Sequence, residues 1–168
     1  MRLANVYGPS LTESKSNDRG ILTMVTKMKF EGKEIHVYGT GSYLRDYIYI
    51  DDLIDLALKV QSTEGFDIVN VSSNKSYSVN EIYTLAQEIM GLKINAKFAD
   101  DLHYWEKYPE LSEGVYPILS NIINNEINKY TQTDNSYAQE KYSWEPKVSL
   151  RNGLTKLIEE ECLLLVLY

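Results

Sequence analysis

The sequence has few of the residues that build disulfides and metal centres. It contains one cysteine, Cys162, and two histidines, His36 and His103. A single cysteine excludes an internal disulfide, and the two histidines are too far apart in sequence to have the spacing typical of metal ligands. We therefore expect no metal site. Cys162 stands in an apolar segment, which predicts a residue of the core.

The chain also has no stretch that predicts a membrane span. Its apolar tail, CLLLVLY, has seven residues, whereas a membrane-spanning helix needs about 20. The start, MRLANVYGPS, does not show a basic stretch followed by an apolar run, which is the pattern of a secretory signal. These features predict a cytoplasmic protein with no membrane partner, in which the tail ends a buried helix or forms a packed strand.

Positive charge is scarce. The 168 residues include only four arginines, and the formal net charge is −7. An acidic chain of this kind argues against binding to nucleic acid or to an anionic membrane. A small anionic ligand is still compatible with it, because one or two local arginines suffice for such a ligand. The length and the 43% apolar composition predict one domain with a core.

Apolar patterning predicts an α/β fold, since strand-like and helix-like segments alternate along the chain. Strands are predicted over 2–7, 34–39, 45–50, 66–73 and 93–99, and helices over 20–32, 51–61, 78–91, 136–142 and 149–167. Ser78 and Glu81 form a capping-box pattern and Gly91 follows that helix. Asp51 or Asp52 is the predicted N-cap of its helix. Residues 10–18 read as a polar loop and 100–134 as irregular chain.

The segment GTGSYLRDYIYIDDL, residues 39–53, resembles a phosphate-binding loop at first sight. A dinucleotide loop requires a third glycine and a following helix, so that backbone N–H groups meet the pyrophosphate. Here Leu44 takes the place of the third glycine, and a predicted strand follows. We therefore interpret Gly39 and Gly41 as a tight turn between two strands.

Arg45 is a candidate for anion binding. In an extended strand it shares one face with Tyr47 and Tyr49, and Arg45 and Tyr47 are separated by about 7 Å. A guanidinium presents a fork of donors that matches phosphate oxygens, and a nearby phenol adds a further donor. The alternative is a structural salt bridge from Arg45 to a neighbouring aspartate, for which the candidates are Asp46, Asp51 and Asp52.

Four blocks of the sequence together resemble the extended short-chain dehydrogenases/reductases, the family of NAD-dependent nucleotide-sugar epimerases and dehydratases. The blocks are RLANVYGP at 2–9, GKEIHVYGTGSYLRDYIYIDDLIDLAL at 32–58, FDIVNVSSNKSYSVNEI at 66–82 and DNSYAQEKYSWEPKVSLRNGL at 134–154. They occur in the family's order and spacing, and the resemblance covers most of the chain except about 100–133. The stretch RDYIYIDDL is the most specific of them.

The resemblance implies the C-terminal part of a Rossmann-type epimerase, with a small substrate-binding α/β subdomain. It begins after the family's cofactor loop and catalytic Tyr-x-x-x-Lys pair, so residues 1–168 correspond to the substrate-binding portion. We expect NAD in the intact family enzyme but not on this chain alone. Tyr137 and Lys141 also form Y-x-x-x-K, but they fall in a late helix of the family, so we assign no catalytic residue.

The resemblance also implies which residues bind the substrate. Arg45 matches the arginine that binds the pyrophosphate, Tyr47 is its neighbour on the same face, and Asn5 matches a residue that contacts the sugar nucleotide. His36 and Tyr38 match the strand end beside the base, and Gly20 and Ile21 match a pair near the phosphates or sugar. Relatives usually have a second arginine near 124–130, where this chain has only Lys129.

Two functions remain open. The chain is the substrate-binding half of a nucleotide-sugar epimerase or dehydratase, or it is a non-catalytic or remnant module that is inactive alone or needs a separate cofactor-binding half. In either case we expect the isolated chain to self-associate, because the predicted strand 2–7 has an unpaired edge and an apolar face. We interpret 100–133 as a surface connection; the alternative is that it shapes specificity.

Overall fold

The computed structural model describes residues 1–9, 20–26, 28–29, 32, 34–61, 64–100, 106 and 108–166. The strands are β1 Arg2–Leu3, β2 Asn5–Tyr7, β3 Ile35–Tyr38, β4 Leu44–Tyr49, β5 Asn70–Val71, β6 Ser76–Ser78 and β7 Ala96–Ala99. The helices are α1 Ile21–Thr26, α2 Ile50–Val60, α3 Val79–Met90, α4 Glu110–Glu113, α5 Ser120–Ile127, α6 Ser136–Tyr142 and α7 Leu150–Val166.

The strands pair mostly in parallel, which confirms the predicted α/β class. Strand β1 pairs with β5, β2 with β4, and β3 with β7, all in parallel, while β6 runs antiparallel to β4. Strand β4 therefore lies between β2 and β6. This central position brings residues from distant parts of the sequence to its two sides.

Two apolar clusters form the core, and β4 contributes to both. Tyr49 packs in the larger cluster with residues of α1, α3 and α7, whereas Ile48 packs in the smaller one with Leu56 and Trp144. Consecutive side chains of a strand point to opposite faces, so one short strand can serve two clusters. Both Ile48 and Tyr49 are almost fully buried. The position of β4 is therefore fixed on both of its faces.

Asp46 is a buried carboxylate at the centre of β4, with 1% of its surface exposed. Its Oδ1 accepts hydrogen bonds from the backbone N–H of Ser73 at 3.0 Å and from the Ser73 hydroxyl at 2.9 Å. Its Oδ2 accepts from the backbone N–H of Thr133 at 3.2 Å. These bonds compensate the burial of the charge, and they join β4 to two segments that are distant in sequence.

The predicted N-cap of α2 is wrong. The helix begins at Ile50 after Tyr49, which makes no side-chain cap, and Asp51 and Asp52 lie in its first turn. The buried Asp52 carboxylate instead accepts the backbone N–H groups of Lys147 and Val148, each at 3.0 Å. The carboxylate is thus engaged by a distant segment, which local sequence does not reveal. An acidic first turn still favours the helix through its dipole.

The prediction for α3 is confirmed. The Ser78 hydroxyl accepts the Glu81 N–H, and the Glu81 carboxylate accepts the Ser78 N–H, so both halves of the capping box form. Gly91 ends the helix in the left-handed conformation at φ 65°. This conformation costs glycine little, because it has no Cβ.

Other boundaries differ from the prediction. Within 66–73 only Asn70–Val71 forms a strand, and β6 at Ser76–Ser78 was not predicted. The segment expected to be irregular contains α4 and α5, and no side chain of α5 is buried. Residues 10–18, His103 and the Cys162 side chain lie outside the described part of the structure.

In the described part of the chain, none of the helices has the length and apolar character that crossing a membrane requires.

The Asp46 hydrogen bonds predict a clear effect on stability. Asp46→Ala leaves the Ser73 and Thr133 donors without their acceptor, so we expect the free energy of unfolding to fall by roughly 2–4 kcal/mol. Asp46→Asn keeps one acceptor oxygen, so its free energy of unfolding should fall by less. Asp51→Ala is the matched control, since its ion pair with Lys156 is exposed and should contribute at most about 1 kcal/mol. Urea unfolding of the three variants measures these free energies. An equal loss of stability in Asp46→Ala and Asp51→Ala would contradict the role of the Asp46 hydrogen bonds.

Candidate functional site

Two adjacent pockets open beside β2 and β4. The first has a volume of about 600 Å³ and is lined by residues 4–9, Gly20, Ile21, Tyr47 and Ile50. The second has a volume of about 390 Å³, and its lining includes residues 35–38, Asn5, Tyr43, Arg45, Tyr47, Glu126 and Ile127. Asn5 and Tyr47 line both pockets, so the two lie side by side.

All seven predicted substrate-binding residues line these pockets. Gly20 and Ile21 line the first, His36, Tyr38 and Arg45 line the second, and Asn5 and Tyr47 line both. Sequence reasoning selected residues spread over some 40 positions, and the fold brings them to one place. The contact of each residue with a ligand remains a prediction.

The pairing of β2 with β4 fixes Asn5 and Tyr47 side by side. They are partners in the parallel register, and the Asn5 amide nitrogen donates a 2.9 Å hydrogen bond to the main-chain oxygen of Asp46. A strand pair shifted by one residue would turn Tyr47 to the opposite face. The same register therefore sets both the backbone pairing and the wall that the two pockets share.

Tyr47 is a protonated donor at neutral pH. Burial raises the pKa of its phenol, and the nearby Arg45 charge offsets this only in part. Its ring meets the edge of Tyr7 at a centroid distance of 6.5 Å, with an interplanar angle of 84°. Edge-to-face contact of this kind is favourable and restricts the ring. Tyr47 therefore presents a phenol that is fixed in place and carries its proton.

Arg45 does not form the salt bridge that was the alternative interpretation of its sequence context. Asp46 and Asp52 accept backbone and hydroxyl donors, as described above, and Asp51 pairs with Lys156 at 3.0 Å. The Arg45 Nη1 donates to the carbonyl of Leu44 at 3.1 Å. Its Nη2 donates to two carbonyls at the end of α5, those of Glu126 at 2.5 Å and Ile127 at 3.2 Å.

Sequence reasoning missed two parts of the second pocket. Tyr43 lines it two residues before Arg45, just ahead of β4 and outside the predicted strand 45–50. The end of α5 is the other part. The resemblance pointed to 124–130 only as the usual place of a second arginine, and no local pattern connects Glu126 with a residue 81 positions away. His36 is exposed, whereas Ile35 and Val37 on either side are buried. The alternation of β3 thus turns His36 away from the core.

The glycine turn does not fit a dinucleotide. Gly39 and Gly41 adopt φ of 68° and 66° between β3 and β4, as expected for a turn. A Cβ on Gly41 would overlap the Asn80 amide oxygen and would lie 2.8 Å from Val37 Cγ1. The space beside the glycine is therefore filled by side chains and cannot cradle a pyrophosphate. Among the described residues we assign none to NAD.

Tyr137 and Lys141 belong to a structural cluster centred on Asp67. The Asp67 carboxylate accepts from the Tyr137 hydroxyl at 3.0 Å, from Lys141 at 2.7 Å and from the Tyr142 hydroxyl at 2.5 Å. Donation from Lys141, and then from Tyr142, holds the pKa of Asp67 well below its usual range. The same contact, together with Tyr137, raises the pKa of Lys141. A lysine held in its charged form cannot act as a base.

In the part of the chain that the structure describes, no group of three or more histidine, cysteine, aspartate or glutamate residues has an arrangement suitable for holding a metal ion.

The Asp67 cluster predicts a pH dependence of stability. The pKa of Asp67 is lowered on folding, so its stabilising effect is present above the unfolded-state pKa, about 3.9, and is lost as the pH falls further. The pKa of Lys141 is raised, so its contribution persists until the pH rises above about 10.4. We expect Asp67→Asn to melt below the wild type at pH 7 and the gap to narrow toward pH 3. A gap independent of pH over this range would contradict the assignment.

Comparison with known proteins gives the family. The family model described as GDP-mannose 4,6 dehydratase matches residues 1–157. The chain is 25% identical over 157 residues to UDP-glucose 4-epimerase of Mycolicibacterium smegmatis, covering 93% of this chain and 42% of the relative. It is 26% identical over 159 residues to UDP-glucuronate 4-epimerase of Thermodesulfobacterium geofontis, covering 94% of this chain and 41% of the relative.

Solved structures agree in fold. UDP-glucose 4-epimerase of Thermotoga maritima, solved with UDP-glucose, superposes with a TM-score of 0.75 at 27% identity, covering 98% of this chain and 45% of that one. UDP-glucuronic acid 4-epimerase of Bacillus cereus, solved with UDP-glucuronic acid and NAD, gives 0.69 at 23% identity, covering 99% and 45%. The chain thus spans less than half the length of these relatives.

The match over 157 of the 168 residues, with the four sequence blocks and the α/β fold, confirms the resemblance found in the sequence. The chain belongs to the GDP-mannose 4,6 dehydratase family, within the extended short-chain dehydrogenases/reductases that include nucleotide-sugar epimerases and dehydratases.

Proposed function

We propose that residues 1–168 are the substrate-binding half of an NAD-dependent nucleotide-sugar epimerase or dehydratase, and that they hold the nucleotide diphosphate of the substrate. The observation that carries this proposal is the convergence of all seven predicted residues on two pockets that share Asn5 and Tyr47. The motifs suggested these residues from the sequence, and the packing of the chain brings them to one place.

Arg45 supplies the charge for the diphosphate. It is a cation in the lining of the second pocket, and the neighbouring aspartates are bonded to other groups. A guanidinium beside a phosphate gives charge-assisted hydrogen bonds about twice as strong as neutral ones. In a chain with a net charge of −7, a local cation of this kind is what an anionic ligand requires.

Asn5 and Tyr47 are placed to position the diphosphate together with Arg45. They form the wall between the two pockets, and the Tyr47 phenol retains its proton at neutral pH. In this proposal the base lies in the second pocket beside His36 and Tyr38, and the sugar extends into the first beside Gly20 and Ile21. Binding energy from the diphosphate then orients the sugar.

The described residues supply binding groups and not the groups that react. The glycine turn is filled by Asn80 and Val37, and Lys141 is held charged by Asp67. The same two observations favour a second candidate function, a module that binds sugar nucleotides without converting them, alone or with a separate cofactor-binding half. The two candidates share the binding site, and the next measurement tests what they share.

Removal of Arg45 tests the binding site directly. Arg45→Ala removes a charge-assisted contact of about 1.5–3 kcal/mol, so we expect affinity for UDP-glucose to fall about 10- to 100-fold. Arg151→Ala is the matched control, because Arg151 pairs with Glu88 at an exposed position outside the lining of either pocket. It should leave affinity unchanged. Calorimetric titration measures both, with dTDP- and GDP-sugars compared in parallel. Unchanged affinity in Arg45→Ala would overturn the assignment.

We also propose that the isolated chain self-associates through β1 and β2. Among the described strands β1 pairs only with β5, and Met1, Leu3 and Val6 are 54%, 53% and 37% exposed. Exposed apolar groups on a free strand edge favour pairing with another chain.

The solution mass of the 168-residue chain tests this association. We expect a mass above that of the monomer, rising with concentration, and Leu3→Glu should shift it toward the monomer because it puts a charge on the strand. Leu119→Glu is the control, since Leu119 is 54% exposed but lies far from β1 in sequence, beside α5. A strictly monomeric wild type would contradict the proposal, as would an equal effect of both substitutions.

A further inference from the structure

The Arg45 guanidinium is engaged by the end of a helix. Nη2 donates to the carbonyls of Glu126 at 2.5 Å and Ile127 at 3.2 Å, and Nη1 donates to that of Leu44 at 3.1 Å. Glu126 and Ile127 are the last two residues of α5. The C-terminal end of a helix carries partial negative charge, which attracts a cation. Helix α5 therefore occupies the position that an anion would take at Arg45.

Because of the geometry of the guanidinium, the α5 carbonyls and a phosphate compete for the same nitrogen of Arg45. The group can bind a phosphate with two parallel hydrogen bonds either end-on, through Nη1 and Nη2, or side-on, through Nε and Nη2. Both arrangements use Nη2. This nitrogen carries two hydrogens, and two carbonyl oxygens of α5 already accept from it. A two-point phosphate contact therefore requires at least one α5 carbonyl to leave.

Replacement of the α5 carbonyls by a phosphate at Arg45 should be favourable. A phosphate is an ionised group and a peptide carbonyl is neutral, so the phosphate is the stronger acceptor for Arg45. Helix α5 has no fully buried side chain, and only Ile123 and Ile127 are half-buried, so little packing opposes its movement. Beyond the helix, Thr131 is anchored by its N–H to the Leu44 carbonyl at 3.1 Å and by its carbonyl to the Ser76 hydroxyl at 2.7 Å. The helix end can thus move while the chain after it stays in place.

We propose that the end of α5 is a gate on the second pocket, and that a diphosphate opens it by taking Arg45 from the Glu126 and Ile127 carbonyls. Helix α5 forms part of the pocket lining at these two residues, so its release changes both the charge and the shape of the pocket. The gate rests on the proposed function, because it requires a diphosphate at Arg45. It adds a movement of a segment that contributes no predicted binding residue.

Hydrogen exchange of the full 168-residue chain tests the gate, with UDP as the probe and uridine as the ligand without phosphate. Local opening sets the exchange rate of helix amides. We expect saturating UDP to speed exchange about tenfold in a peptide spanning residues 120–128, the scale of losing a hydrogen bond to a charged group. Uridine should leave the rate unchanged. Peptides of α3 serve as the internal reference.

Variants separate the gate from ligand binding. In Arg45→Ala without ligand, the α5 amides should already exchange at the faster rate, and UDP should add nothing. Arg151→Ala removes the same charge from an exposed pair with Glu88 and should behave as the wild type. Arg45→Lys keeps the charge without the fork and gives a second variant if Arg45→Ala does not fold; it should exchange faster than the wild type without ligand.

The outcomes distinguish the two proposals. If UDP binds with dependence on Arg45 and α5 exchange stays the same or slows, the gate is overturned while the binding site stands. If UDP does not bind the wild type at any concentration, the proposed function fails and the gate fails with it. The gate is supported if UDP speeds α5 exchange in the wild type, uridine does not, and UDP gives no further increase in Arg45→Ala.

Discussion

The buried carboxylate of Asp46 is the interaction on which the binding region depends. It accepts hydrogen bonds from Ser73 and from Thr133 and so holds β4 against two distant segments. The main-chain oxygen of the same residue accepts the Asn5 amide. Asp46 is followed directly by Tyr47 and preceded by Arg45, so its fixation sets the position of both. One buried charge thus organises three residues of the pockets without contributing to their lining.

The alternation of side chains along β4 explains how one short strand can both pack in the core and line the pockets. Ile48 and Tyr49 enter different apolar clusters, which fixes the strand on both faces. Arg45 and Tyr47 lie on the same face as Tyr49, and both are only half-buried. They can therefore remain partly open to a pocket while the rest of the strand is buried. Within β4, Ile48 and Tyr49 thus pack in the core, while Arg45 and Tyr47 line the second pocket.

The sequence was sufficient for features with local causes. The capping box at Ser78 and Glu81 and the stop at Gly91 predicted α3 correctly, and the two glycines before β4 were correctly interpreted as a turn. Motifs identified the family and seven residues that the fold brings together. Features with distant causes were not predictable. Asp52 is bonded to residues 95 and 96 positions away, and Arg45 to the end of a helix that has no buried face.

The central claim is that Arg45, Asn5 and Tyr47 surround the diphosphate of a nucleotide sugar. A crystal structure of the chain with UDP-glucose tests it most directly, because it locates the phosphates relative to these residues. The account predicts diphosphate oxygens within about 3 Å of the Arg45 guanidinium, with the Glu126 and Ile127 carbonyls displaced from it. A structure in which UDP-glucose binds away from both pockets, with Arg45 still bonded to α5, would contradict the account.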